Sequence, residues 1–358
     1  MWEGVLVKWG SYPMKAAVFY KSGGIESCSV EEVPEPKPLK DEVVVKIKTA
    51  SLNHLDLWVL KGRSGEKITQ PHIFGSDGAG VVFSVGPDVT GVQEGDEVIV
   101  NPGLICGWCP QCRSGETSQC ETFGIVGMSR PGTYAERIAL PARNIWPKPA
   151  HLSFVEASAF TLTYLTAWRM LFTKGKLVEG QTVLIHGIGG GVALSALQLA
   201  KIAGAEVIVT SSSDEKLKSA KQLGADHIIN YKTTKDVAAA VKEKTKGRGV
   251  DLAIDSVGAA TWPIDLEAVR RGGTIVLCGI TTGSIAQTDL QLIYWNHLKI
   301  FGSTLGSDGE MISMLKAVET AKLKPIIDSV HKLSNVQQAL KRMESGEQFG
   351  KIVLKVSD

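Results

Sequence analysis

Cys106, Cys109, Cys112 and Cys120 fall within fifteen residues at a spacing of C-x2-C-x2-C-x7-C. Four thiolates this close make a closed tetrahedral zinc shell, which leaves no open position for chemistry. The two-residue gaps let the chain fold back on one ion. The surrounding Asn101-Pro102-Gly103, Gly107-Trp108 and Ser114-Gly115 are too turn-rich to build a core. Zinc binding contributes roughly 10–16 kcal/mol in small zinc peptides, enough to order such a lobe. A disulfide cluster is the alternative, but Cys28 and Cys278 are the only other cysteines, and no secretory segment points to an oxidising compartment. One structural zinc per chain is expected.

A second chemical motif follows the apolar run Thr182–His186. There the chain reads Gly187-Ile188-Gly189-Gly190-Gly191-Val192-Ala193 and continues into a helical pattern. Glycines let the backbone approach a pyrophosphate, whose charge is met by the amides of a helix N-terminus. Gly187, Gly189, Gly190, Gly191 and Val192 are the expected contacts. A glycine triplet alone is weak evidence; the strand before it and the helix after it make dinucleotide binding the expectation. The next strand ends in Thr210-Ser211-Ser212-Ser213-Asp214-Glu215-Lys216, where an acidic residue would hold a ribose 2′-hydroxyl. Hydroxyls such as that of Ser211, with Lys216 one turn on, suit a 2′-phosphate that a carboxylate would repel. Asp214 and Glu215 read as a helix cap and first turn. NADPH is expected in preference to NADH.

The elements that position these motifs change character along the chain. From Met14 to about Pro149, short alternating runs such as Val43–Lys48 and Gly80–Val85 are broken by Gly, Pro and Asp turns, a β pattern. From about Leu152, apolar strands alternate with helices at 3.6-residue period. Strands are predicted at Thr182–His186, Glu206–Thr210, His227–Asn230, Val250–Asp255, Gly273–Cys278 and Lys299–Thr304. Helices are predicted at Val192–Ala203 and Asp214–Leu223. This alternation implies an α/β fold with a doubly wound parallel sheet. A last helix, Glu310–Ala321, leads to strand-like Ile327–Leu333 and Lys351–Val356, which are expected to return to the first domain.

With 358 residues and a net charge of +2, the chain has room for two domains and no basic face for nucleic acid. No run of eighteen apolar residues could span a membrane. Residues 1–13 lack a signal-peptide pattern and precede a second start-like Met14-Lys15-Ala16-Ala17, so they read as an extension outside the fold. A soluble, cytoplasmic protein acting on a small molecule is expected.

The combination resembles the zinc-containing alcohol dehydrogenase and quinone oxidoreductase superfamily, the medium-chain dehydrogenases/reductases. The resemblance covers Met14 to Val356. It is carried by Gly75-x-x-Gly78-x-Gly80, Gly95-Asp96, the cysteine lobe, the glycine loop and Gly350-Lys351-Ile352-Val353-Leu354. It implies a GroES-like β catalytic domain over 14–155, a Rossmann domain over 156–308 and a segment 309–358 completing the first. It also implies a cleft between the domains and a homodimer, or dimer of dimers, built through the strand near Lys299–Thr304. By the same resemblance, Asn53 and Thr166 would contact the nicotinamide side, and Ser256 and Gly279 would flank the ring. His54 and Lys351 would lie toward the pyrophosphate, and Tyr231 and Lys216 toward the 2′-phosphate.

The departures are as informative. Where alcohol dehydrogenases of this superfamily hold a catalytic zinc, this chain has Asn53, Ser76-Asp77 and Leu162, of which only Asp77 is a good ligand. Leu55 stands where the proton-relay hydroxyl would be. A zinc relocated to His54, Asp56 and Asp77 is an alternative. Without that Lewis acid, an alcohol would keep its high pKa. Asn53-His54-Leu55-Asp56 also looks like the quinone and enone reductase branch. The expectation is hydride transfer to a quinone, enone or activated carbonyl, with Asn53 and Asp77 catalytic. The rivals are an alcohol dehydrogenase and a low-turnover NADPH-binding scaffold or sensor. Plainer roles exist: Asn53 as a helix cap with Asp56 bonding back, Asp77 bonding amides in the Gly75–Gly80 turn, His72 as a surface residue and His186 as a packed one.

Overall fold

The computed structural model describes residues 8–62 and 71–357. The chain divides into two compact units, one holding residues up to Leu162 with Lys324 onward, the other Thr163–Leu323. The divisions fall later than the expected 155/156 and 308/309, for local reasons. Thr49 Oγ1 donates to Phe154 O (2.6 Å) and Ser51 Oγ to Ser158 O (2.8 Å), holding that stretch in the first unit. Helix Asp308–Thr320 is fixed in the second by the buried Arg169–Glu310 ion pair (2.8 Å).

In the second unit, six strands form one sheet in the order His227–Asn230, Glu206–Ser211, Thr182–Ile185, Val250–Asp255, Val269–Leu277, Lys299–Gly302. Every neighbouring pair is parallel. Chain order 3-2-1-4-5-6 is that of a doubly wound Rossmann sheet. Helices such as Gly191–Ile202 and Asp214–Gln222 make the crossovers between the strands. The central strands, exemplified by fully buried Val183-Leu184-Ile185, are apolar because helices cover both faces.

The first unit is built on a seven-stranded sheet. Asp77–Val85, Glu42–Ser51, Lys351–Lys355 and Ile327–Lys332 lie side by side in it, and Arg137–Pro141 also pairs with Glu42–Ser51. Two registers matter for the site: Ser51 stands opposite Asp77 on one side and Val353 on the other. The closing strand thus completes this unit's sheet, and its first residue, Lys351, reaches beyond Ser51. Close strand and loop packing explains two glycines. A Cβ on Gly80 would lie 2.1 Å from Lys46 O. Gly75, at φ +98°, would put a Cβ 2.3 Å from the Tyr134 ring.

Two expectations are corrected. Residues 8–13 are not outside the fold: Lys8–Phe19 is one strand, paired antiparallel with Cys28–Lys37 through a bulge between Trp9 and Pro13. The partner strand is long enough to pair with this end of the chain, whose own sequence lacks clean alternation; residues 1–7 fall outside the described residues. His72 is buried in strand His72–Ile73, its Nε2 2.9 Å from Gly127 O and its ring edge-on to Phe19. Among the described residues, no helix is long and apolar enough to cross a membrane.

Candidate functional site

The four cysteine sulfurs lie within 4.8 Å of one another, and none is in a disulfide. Sulfur–sulfur separations of 4.0, 4.0 and 3.6 Å match tetrahedral thiolates, since Zn–S bonds of about 2.3 Å set sulfurs roughly 3.8 Å apart. Backbone amides already point at the sulfurs: Cys106 N–H donates to Cys120 Sγ (3.3 Å) and Cys109 N–H to Cys106 Sγ (3.4 Å). The short pairing of Gly103–Leu104 with Gly124–Ile125 closes the base of the lobe. The donor set fits a zinc ion.

In the same unit, strand ends bring a buried polar network together. Asn53 is the N-cap of helix His54–Leu60, and its backbone N–H donates to Asp56 Oδ2 (2.7 Å), as helix capping requires. The Asn53 side chain is bonded at both ends: Nδ2 donates to Asp77 Oδ2 (2.9 Å) and Oδ1 accepts from Lys351 Nζ (2.5 Å). Lys351 Nζ also donates to Leu52 O (2.7 Å) and faces Asp77 Oδ2 at 3.3 Å. Asp77 Oδ1 accepts the Leu162 N–H (2.9 Å). Asp77 therefore bonds a backbone amide, but not one of the glycine turn. Behind them, Tyr134 OH donates to Asp56 Oδ2 (2.6 Å) across 78 residues of sequence. Gly75 gives the Tyr134 ring the room to reach it.

Charges in this network follow from burial. Burial pushes the Asp56 carboxyl up to about 6, against the pull of the Tyr134 hydroxyl, the Asn53 amide and the Lys351 charge. The Lys351 ammonium is lowered from the ordinary lysine value by burial, with Asp77 and Asp56 opposing the shift. Ser76 Oγ is buried without a hydrogen-bond partner among the described residues. The residues do not fit a second zinc. At the positions where ligands would stand are an amide, an unpaired hydroxyl, a leucine and one carboxylate already facing an ammonium. His54 is exposed, and among the described residues only the four cysteines gather as a metal-binding group.

In the second unit, the glycine loop, Ser211, Tyr231, Ser256 and Gly279 stand at or just past the carboxyl ends of strands, where open α/β sheets bind ligands. Gly187 (φ +66°) and Gly189 (φ +120°) take backbone conformations that glycine favours. Gly190 caps helix Gly191–Ile202, whose second residue is Val192. A Cβ on Gly190 would meet only Gly187 O, at 3.6 Å, so the loop presents bare backbone that fits a pyrophosphate. Ser211 ends the second strand and takes the Ser213 N–H on its Oγ (3.2 Å), while Tyr231 N–H donates to Ser211 O (3.0 Å). Lys216 lies in the first turn of the next helix, and Asp214 accepts from Asn230 Nδ2 (2.7 Å). Ser256 and Gly279 are in close contact: a Cβ on Gly279 would be 2.5 Å from Ser256 O. Thr166 is buried on helix Thr161–Trp168. His186 is packed beneath the loop, with Nδ1 3.0 Å from Thr210 Oγ1 and Nε2 2.9 Å from Asp265 Oδ1.

A thiolate lobe in a GroES-like unit and a glycine loop on a Rossmann sheet define a nicotinamide-dependent oxidoreductase. Known proteins agree. The family model for the alcohol dehydrogenase GroES-like domain matches residues 39–150, and that for zinc-binding dehydrogenases matches residues 191–320. A zinc-type alcohol dehydrogenase-like protein of Schizosaccharomyces pombe is 34% identical over 350 residues, covering 96% of this chain and 99% of its own. An acryloyl-coenzyme A reductase of Sulfurisphaera tokodaii is 31% identical, covering 96% and 100%. A solved NAD-dependent alcohol dehydrogenase superposes with a TM-score of 0.93 at 42% identity, covering 96% and 100%. The chain belongs to the zinc-containing alcohol dehydrogenase family of medium-chain dehydrogenases/reductases.

Sequence reasoning missed Tyr134, Ser51 and the Leu162 amide as parts of the network, and it placed Lys351 toward a pyrophosphate. In the structure the Lys351 ammonium turns inward to Leu52, Asn53 and Asp77. No local signal could have shown this, because the pairing of Val353 with Ser51 that sets it spans the whole fold.

Proposed function

We propose that the protein is an NADPH-dependent reductase that delivers hydride to a quinone, enone or other activated carbonyl compound without a catalytic metal. The observation that carries this reading is the Lys351 ammonium seated between Asn53 Oδ1 (2.5 Å) and Asp77 Oδ2 (3.3 Å). A dication beside that ammonium, with a single carboxylate to neutralise both, would be electrostatically unfavourable. A conjugated acceptor needs no Lewis acid, because the electron pair arriving with hydride moves onto its oxygen. Asn53 donates a hydrogen bond to that developing oxyanion, and solvent then protonates the product. NADPH would supply the hydride. Gly187, Gly189, Gly190, Gly191 and Val192 would hold its pyrophosphate, Thr166, Ser256 and Gly279 its nicotinamide half, and His54 the phosphate side. The likeness to an acryloyl-coenzyme A reductase, named for an activated alkene, supports the acceptor class.

For the cofactor, the strand end at Ser211 offers hydroxyls and no carboxylate, with Lys216 and half-exposed Tyr231 beside it, and Asp214 is engaged by Asn230. These features favour a 2′-phosphate, although the NAD-dependent alcohol dehydrogenase to which the chain is similar is named for the other cofactor. We also propose a homodimer, or dimer of dimers, through the sheet edge. Strand Lys299–Gly302 is exposed throughout, and the preceding helix leaves Leu290, Tyr294 and Trp295 60–70% exposed.

Oxidation of NADPH at 340 nm, measured against 9,10-phenanthrenequinone, trans-2-hexenal and benzaldehyde, tests the reading. Turnover with the quinone or enone that survives a chelator too weak to strip a thiolate site supports it. Turnover confined to alcohols and aldehydes and lost on chelation would establish an alcohol dehydrogenase instead. Tight NADPH binding without any turnover would indicate a scaffold.

A further inference from the structure

We propose that Lys351 is a positioning residue, locking the Asn53 amide in the one orientation that leaves an N–H for the acceptor oxygen. The proposal rests on the reading of Asn53 as oxyanion donor and adds what makes that donor directional. An amide has nearly the same shape when flipped, so only its partners decide which end is which. Here the partners are a cation and an anion. Oδ1 lies 2.5 Å from the Lys351 ammonium, and Nδ2 lies 2.9 Å from Asp77 Oδ2. The flipped amide would set its NH2 against an ammonium and its oxygen against a carboxylate, repelling both.

The two anchors are themselves held. Leu52 O accepts from Lys351 (2.7 Å), and Asp77 is bonded by the Leu162 N–H at Oδ1 (2.9 Å) and approached by Ser51 Oγ at Oδ2 (3.4 Å). Ser51 pairs in register with both Asp77 and Val353, so three adjacent strands fix the spacing. Each ammonium proton has an acceptor: Leu52 O, Asn53 Oδ1 and Asp77 Oδ2. Asp77 takes one of the two Nδ2 protons of Asn53, and among the described residues the second has no partner. That second N–H is the donor left for substrate. Because the ammonium draws electron density toward Oδ1, the N–H is also a stronger donor than a free amide, as hydrogen bonds in series reinforce one another.

The test uses NADPH and 9,10-phenanthrenequinone with the full-length protein. Asn53→Ala should lower kcat by about 100-fold, the effect of losing one oxyanion donor. Lys351→Met should lower kcat comparably while the NADPH dissociation constant, read by nucleotide fluorescence, stays within about twofold. The double variant should be no worse than Asn53→Ala, because Lys351 acts only through Asn53. A merely structural role would show as lost stability or weakened NADPH binding while the kcat of the folded protein stayed intact. Additive losses, or a Lys351→Met protein with intact kcat and weakened NADPH binding, would overturn the proposal while leaving Asn53 its role. Wild-type turnover in Asn53→Ala would instead sink the reading of Asn53 itself. Should Lys351→Met fail to fold, Lys351→Arg carries the test. Its planar guanidinium cannot reach the same three acceptors, so kcat should fall about tenfold at unchanged NADPH affinity, and an unchanged kcat would refute the positioning.

Discussion

Asp77→Asn should destabilise the first unit strongly, and the structure gives the size. Asp77 is fully buried and Lys351 only 5% exposed, with Oδ2 3.3 Å from Nζ. The substitution preserves volume and removes the carboxylate facing the ammonium. Breaking a buried ion pair from one side costs about 3–5 kcal/mol. The new NH2 adds to this, because both Asp77 oxygens are acceptors now, one from Leu162 N–H and the other from Asn53 Nδ2. For a unit of this size each kcal/mol moves Tm by about 2–4 °C, so the fall should be about 6–20 °C. Differential scanning fluorimetry at neutral pH, with zinc-replete protein, would read it. Lys351→Met removes the other partner, and the double variant leaves no unpaired charge, so its loss should be well below the sum of the single losses. An Asp77→Asn protein within about 2 °C of wild type, or strictly additive losses, would refute the buried pair.

Three further outcomes are expected. Cys112→Ser should lose the bound zinc and expose residues 101–125 to limited proteolysis, since the metal orders a lobe with no core of its own; an intact lobe in the metal-free variant would contradict this. Ser211→Asp should lower kcat/KM for NADPH at least tenfold and favour NADH, by setting a carboxylate against the 2′-phosphate; an unchanged preference would refute the strand-end reading. The buried His186–Asp265 pair predicts a pH dependence. Burial raises the Asp265 carboxyl to about 6, and the Asp265 and Asp255 charges raise His186 above its ordinary value against the effect of burial. Both groups bind protons more tightly folded than unfolded. Their stabilisation is therefore present at low pH and lost as pH rises through about 6 for Asp265 and, for His186, through its raised value. The Tm advantage of wild type over Asp265→Asn should grow as pH falls from 7.5 toward 5; a flat or opposite trend would refute it.

What could be read in advance was what is local in the chain. The Rossmann strands were legible because buried parallel strands carry short unbroken apolar runs, as in Val183-Leu184-Ile185 and Leu252-Ala253-Ile254. The glycine loop and cysteine spacing were legible because each motif lies within a few residues. The polar network was not. Asp56 and Tyr134 are 78 residues apart and Lys351 and Asn53 are 298 apart, so only the sheet registers bring them together. Lys8–Pro13 was missed because this end of its strand pairs with Cys28–Lys37 alone and is largely exposed on both faces, so it carries no alternation to read. The second division lies at 323/324 and not the expected 308/309, with helix Asp308–Thr320 tied to the second unit by the buried Arg169–Glu310 pair, whose members are 141 residues apart.

Elemental analysis of purified, catalytically active protein tests the metal-free acceptor site most directly. One zinc per chain, retained by wild type and lost in Cys112→Ser, is the predicted result. Two zincs per chain, with quinone reduction disappearing as the more labile one is removed, would contradict it.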